Sequence, residues 1–255
     1  MKIIKIIASF LLILGILALV VWSGHRAKKQ TCTGISVIIH DAGNSELLTK
    51  SDILDILKEN HLEWDGKRIE EIDQPAITKI LEKEKYIETV ENVHFSGSKL
   101  QIEVSLYDIL LEIAPKTGEK FLLDVNGVDL PYSPKLKSDV IVASGYISPA
   151  IKKNGTTAIE NNDLEQLYTL ATLIKNDPFY ADLFNKMYVN EKQEIILYPT
   201  DEKLPVLFGT MENAEKKLKR LRYMYHEVLP YMNEDKYAQL DVRFENRIIA
   251  KKSKS

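Results

Sequence analysis

The sequence predicts an α+β protein behind a single N-terminal transmembrane helix. Three observations carry that prediction. Residues 6–24 are nineteen consecutive uncharged residues. From Ile35 to Tyr107 the apolar spacing runs strand, helix, helix, strand, strand. From residue 108 onward, short alternating runs dominate, interrupted by two amphipathic helices. The expected order is therefore a short tail (1–5), a span (6–24), a β-α-α-β-β domain (35–107), a mixed β domain with flanking helices (108–252) and a closing tail (253–255).

The span comes first. At about 1.5 Å per residue it forms a helix of about 28 Å, enough for a hydrocarbon core of about 30 Å. Ile6, Leu11, Leu14 and Leu19 represent its apolar body, and Trp22 suits the interface. A cleavable signal has a shorter apolar core followed by small residues. Here the run passes through Val20-Val21-Trp22-Ser23-Gly24-His25-Arg26 without such a site, so an uncleaved anchor is expected. Cys32 follows Lys29-Gln30-Thr31, too far from the run for a lipoprotein signal. Flanking charge does not orient the span: Lys2 and Lys5 precede it, while Arg26, Lys28 and Lys29 follow.

Composition narrows the function classes. Charged residues at 28% and hydrophobic ones at 45% fit folded chain. A net charge of −3 gives no global attraction to nucleic acid. One cysteine excludes an intramolecular disulfide framework and a Cys-rich metal site.

In the first soluble domain, Ile35–Ile39 reads as a strand and Asp41–Asn44 as its turn. Thr49 and Asp52 approximate a capping box ahead of Ile53, Ile56 and Leu57, which share one helical face. Gly66 closes the connection. A second helix starts near Asp73-Gln74-Pro75 and buries Ile77, Ile80 and Leu81. Thr89–Phe95 and Leu100–Leu106 are strands joined by the loop Ser96-Gly97-Ser98-Lys99, the second alternating cleanly.

In the second domain, strands are expected at Ile109–Ile113, Lys120–Leu123 and Val140–Ser144, with a turn at Val125-Asn126-Gly127. A helix over Asp163–Lys175 places Leu164, Leu167, Ala171 and Ile174 on one face. Strands follow at Lys186–Val189, Glu194–Tyr198 and Pro205–Phe208. The helix Glu212–Leu229 steps through Ala214, Leu218, Leu221, Tyr225 and Val228. Its Lys216, Lys217, Lys219, Arg220 and Arg222 read as a solvated face, with an anionic lipid or partner contact as the alternative. Strand alternation returns over Tyr237–Lys251 through Leu240, Val242 and Phe244.

Catalytic patterns are missing from the sequence. The five histidines are scattered, and no HExxH, G-x-S-x-G, P-loop or dinucleotide fingerprint occurs. Asp124 and Asp129 read as turn residues around Asn126-Gly127 rather than a carboxylate pair. No enzyme activity, cofactor, metal, nucleic acid or small-molecule substrate is expected.

The order of elements, with several local strings, resembles the bacterial cell-division family FtsQ/DivIB over nearly the whole chain. LTKSDILDIL at Leu48–Leu57 is similar to the opening of that family's POTRA domain. Ile72-Asp73 with Ile87-Glu88-Thr89-Val90 is similar to a later part of it, although Lys85 and Tyr86 stand where the family has Asn and Pro. Phe121–Gly127 followed by Leu130-Pro131 resembles the strand pair opening the β domain. Phe208-Gly209 and Leu240-Asp241-Val242-Arg243-Phe244 resemble its closing signatures. Leu207 stands where the family has Arg, Phe244 where it has Tyr, and Arg247-Ile248 where many members have small residues.

The resemblance implies a non-enzymatic scaffold of the division machinery. It implies an N-terminus in the cytoplasm, with the bulk outside the inner membrane and enriched at the septum. The implied partners are FtsB- and FtsL-like proteins and, through them, the septal peptidoglycan synthase. Docking is expected by β-augmentation at a C-terminal edge strand, over Arg243, Phe244, Glu245, Asn246, Arg247, Ile248, Ile249 and Ala250. Phe244 is the expected apolar anchor and Arg243 the expected partner of an incoming carboxylate. Two other readings are a POTRA-bearing chaperone that binds polypeptides by β-augmentation, and an envelope hydrolase.

Overall fold

In the computed structural model, which describes residues 13–16, 30–40, 47–136, 140–148, 152–153, 156–157, 162–233 and 236–253, the capping residues read from the sequence stand at helix starts. Of the expected span only residues 13–16 are described; they are helical, with Leu14 exposed. Ile6, Leu11, Leu19 and Trp22 lie outside the described residues, as does the turn expected at Asp41–Asn44. No helix of the described residues is long and apolar enough to cross a membrane. The chain divides into two compact units, one carrying Leu48–Leu106 and the strand before it, the other running on from Tyr107.

The first unit has the order β1 (Gly34–His40), α1 (Lys50–Glu59), α2 (Gln74–Leu81), β2 (Ile87–Ser96) and β3 (Lys99–Leu106). The capping box is reciprocal: Thr49 N donates to Asp52 Oδ2 at 2.7 Å, and Asp52 N donates to Thr49 Oγ1 at 3.3 Å. Such a cap contributes about 1 kcal/mol. Asp73 caps α2 by accepting from Ala76 N at 3.0 Å, with Pro75 in the first turn. β3 is central, parallel to β1 and antiparallel to β2.

The core of this unit is Ile53, Leu57, Ile77 and Leu81 against Leu100, Ile102, Val104 and Leu106. Ile56 and Ile80, expected in it, are only half-buried. A three-stranded sheet covers a narrow stripe of each helix, and these two stand on its flank. The hairpin is tighter than expected, because Ser96 pairs with Lys99 and leaves Gly97-Ser98 as the loop. Gly97 makes that possible with φ +63°. Nor does Gly66 end the connection between the helices, since a 3₁₀ turn follows at Ile69–Glu71.

The second unit is built on one sheet, which has nine strands among the described residues. They are β4 (Ile109–Pro115), β5 (Phe121–Asp124), β6 (Asp129–Pro131), β7 (Ile141–Gly145), β10 (Phe184–Val189), β11 (Ile195–Pro199), β12 (Val206–Gly209), β13 (Tyr237–Asp241) and β14 (Ile249–Lys252). A separate two-stranded pair, β8 (Lys152–Lys153) and β9 (Thr156–Thr157), lies between β7 and the next helix. The sheet order is β14-β13-β12-β11-β10-β7-β4-β5-β6. Two crossovers carry helices: α3 (Asn162–Lys175) and α4 (Pro178–Leu183) precede β10, and α5 (Ala214–Tyr223) precedes β13. Leu164, Leu167, Ala171 and Ile174 of α3 are fully buried.

Three short elements among the described residues escaped the sequence reading of this unit, β8, β9 and α4. Asp177 caps α4 by accepting from Phe179 N at 3.1 Å, and Pro178 takes its first position. Asp124 is spent on its turn, its Oδ1 accepting from Asn126 N at 2.9 Å and Val128 N at 2.6 Å.

Two larger corrections concern the C-terminal third. The helix expected over Glu212–Leu229 is α-helical only to Tyr223; a π turn covers Met224–Val228 and a 3₁₀ turn Leu229–Tyr231. The wider turn takes up one extra residue. The buried stripe is therefore Ala214, Leu218 and Leu221, then Met224 and Leu229, while Tyr225 and Val228 are half-buried. The strand expected over Tyr237–Lys251 is instead two antiparallel strands, β13 and β14, with residues 242–248 as their connection.

Candidate partner-docking site

β14 is the outermost strand at one side of the large sheet among the described residues. It pairs with β13 through Asp241↔Ile249, Leu240↔Ala250 and Gln239↔Lys251. A strand in that position presents one row of backbone donors and acceptors outward. Of the eight residues expected to form the docking strand, only Ile249 and Ala250 lie in it. Arg243, Phe244, Glu245, Asn246, Arg247 and Ile248 belong to the connection.

Val242 is buried, and its N–H continues the parallel ladder with β12 one step past Asp241, donating to Leu207 O at 3.1 Å. The chain then turns back under three arginines.

Arg243 is exposed, but its head is engaged by carboxylates of this chain. Its Nε donates to Asp241 Oδ1 at 2.9 Å, its Nη2 to Asp241 Oδ2 at 2.7 Å, and its Nη1 to Glu194 Oε1 at 2.6 Å. The Asp241 contacts, then Glu194, hold the guanidinium further toward its charged form. The expectation that Arg243 greets a partner carboxylate is therefore corrected, since both its edges already serve carboxylates of this chain.

Arg220 comes from α5. It donates to the carbonyls of Val242 at 3.2 Å and Phe244 at 3.0 Å, and also to that of Glu245. Arg247 places its guanidinium 5.2 Å from the centre of the Phe244 ring. Phe244 itself remains 38% exposed.

Between the connection and the helix lies an open groove of about 810 Å³. Met224, Val228 and Ile248 give it apolar surface, and Tyr223, 65% exposed, stands on its helical wall. Lys216, Lys219 and Arg247 line it as cations. Glu245 and Asn246 complete the wall made by the connection.

Of the five cations of α5, Lys216 and Lys219 are exposed as the sequence suggested, whereas Lys217 is buried and Arg220 and Arg222 are half-buried. Lys217 is 5% exposed; its Nζ donates to Thr210 O at 2.8 Å and lies 5.0 Å from the Phe208 ring centre. Burial pushes its ammonium below the ordinary lysine range. Arg222 pairs with Asp177 and lies over the rings of Phe179 and Tyr180.

Sequence reasoning found the connection and the edge but assigned both to one strand. It missed Tyr223 and Met224 altogether. Met224 follows Leu221 at the i, i+3 spacing of one helical face, while Tyr223 lies on the exposed face of α5, where apolar periodicity gives no signal. Among the described residues no group of three His, Cys, Asp or Glu side chains is placed to hold a metal ion.

Comparison with known families gives two matches. Residues 110–251 match the family described as FtsQ/DivIB, C-terminal related. Residues 30–105 match the POTRA-like domain. No curated protein matches the chain.

Proposed function

The chain belongs to the FtsQ/DivIB family, and on that premise we propose that it is a non-enzymatic, membrane-anchored scaffold of the division machinery. It gathers FtsB- and FtsL-like proteins at the septum and links them to the septal peptidoglycan synthase. Its anchor lies in residues 6–24, with the two folded units outside the inner membrane. The observation that carries the docking part is the joining of an outermost strand, β14, to a groove with apolar surface and cationic walls. An extended partner segment adds to β14 through main-chain hydrogen bonds. Apolar residues of the same segment complement Met224, Val228 and Ile248, and acidic ones complement Lys216, Lys219 and Arg247.

The test uses the tagged full chain in membranes of its own host, with recovery of the host's FtsB-type protein as the readout. Phe244→Ala removes the exposed aromatic, and truncation after Phe244 removes β14. Loss of an interface anchor costs about 2 kcal/mol or more, roughly thirtyfold in affinity. Undiminished recovery by both variants sinks the proposal.

A further inference from the structure

We infer that Arg220 is the positioning residue of this docking platform, setting the distance between the two walls of the groove; the inference rests on the docking reading above. The connection from Val242 to Ile248 belongs to no strand, and after the Val242 N–H bond to Leu207 O it runs free of the sheet ladder between β13 and β14. Three of its carbonyls, those of Val242, Phe244 and Glu245, are instead gathered by one guanidinium. That guanidinium belongs to α5, which supplies Lys216, Lys219 and Tyr223 to the opposite wall. Arg220 therefore ties one wall to the other across the groove.

Other contacts hold the connection without doing this. Arg243 ties its start to Asp241 and Glu194, on the sheet. Arg247 rests on Phe244, within the connection. Lys217, three residues before Arg220, makes the parallel tie to Thr210 O, just past the end of β12. One face of α5 thus clamps the exits of β12 and β13, which are parallel neighbours.

The chemistry requires arginine. A planar fork with five donors reaches several acceptors at once, whereas an ammonium acts as a point charge on a flexible stem. A connection fixed before the partner arrives spares the cost of ordering it on binding.

The test compares the full chain, purified in detergent, with Arg220→Lys and Arg220→Met. Hydrogen exchange is followed at residues 243–249 and in α3, and recovery of the host's FtsB-type protein is measured in parallel. Arg220→Met is expected to speed exchange in the connection about tenfold or more, leave α3 unchanged, and lower partner recovery about tenfold. Arg220→Lys restores part of both. Unchanged exchange in the connection overturns the inference, as does a uniform rise across the unit, which marks a merely structural role. Faster exchange with full recovery overturns the positioning role alone. If the wild type recovers no FtsB-type protein, the docking reading itself falls and takes this inference with it.

Discussion

Gly209 and Arg243 occupy one space: a Cβ on Gly209 would lie 2.8 Å from Arg243 Cγ and 3.0 Å from its Cδ. The aliphatic stem of Arg243 is laid across the end of β12, and its head is held by Asp241 and Glu194, so it has little freedom to withdraw. Gly209 also has φ +80°, where an L side chain is strained. Gly209→Ala is expected to cost about 1–3 kcal/mol. Thermal unfolding of the full chain checks this; a change below about 0.5 kcal/mol would mean that Arg243 moves aside freely.

Acid should loosen the same corner. Burial by itself raises the Asp241 carboxyl, but the Arg243 hydrogen bonds and charge, with Lys251, outweigh it and leave the group below its ordinary range. Glu194 is lowered first by the Asn190 amide and then by Arg243. A carboxyl depressed in the folded state adds stability that is complete above its unfolded pKa of about 4 and is lost as pH falls through the folded value. Denaturant unfolding between about pH 5 and pH 2 should therefore show a loss that Arg243→Met flattens. Equal slopes for the two proteins would count against the triad.

Lys217 separates a buried cation from a solvated one. A lysine on a solvated face tolerates substitution within about 0.5 kcal/mol. Here Lys217→Met should cost about 1 kcal/mol, because Thr210 O loses a donor while apolar volume is kept. Lys217→Glu should cost about 3 kcal/mol or more, since it buries a carboxylate beside a carbonyl. Chemical denaturation measures both, and equal small effects would return Lys217 to the surface.

In the first unit, Leu57→Ala should cost about 2–5 kcal/mol and Ile56→Ala less than about 2 kcal/mol, following their burial rather than their shared helical face. Differential unfolding of the two variants checks the narrow stripe. Equal losses would show that the three-stranded sheet covers more of α1 than the structure describes.

Local signals were the legible ones. The Thr49–Asp52 box, the Asp73-Gln74-Pro75 start and the strict alternation of Leu100–Leu106 each act within a few residues, and each was read correctly. Asp177-Pro178 carries a similar start signal for α4, but a helix of six residues is too short to show an apolar period beside it. What stayed hidden was tertiary. Leu240, Val242 and Phe244 alternate as one strand would, yet Val242 is buried while Arg220 draws the carbonyls of Val242, Phe244 and Glu245 toward α5. The charge pattern of α5 has the same ambiguity, because a lysine that clamps a carbonyl and one that meets water look alike in sequence. For the docking residues, proximity in sequence found the connection, but the opposite wall of the groove comes from an earlier element, α5 and the π turn after it.

The π turn at Met224–Val228 bears on how this region tolerates insertions and deletions. A π turn holds one residue more than the α-helical turn it replaces. Removing a single residue there would let the chain continue as ordinary helix through the same rotation, whereas a deletion within α5 itself would shift every following side chain by about 100° around the axis. The π turn absorbs its extra residue locally, so losing it would leave Leu229 facing the core. What would change is the turn's own surface, where Met224 and Val228 line the groove. Length at this turn can therefore change by one residue with less damage to the fold than anywhere else along α5.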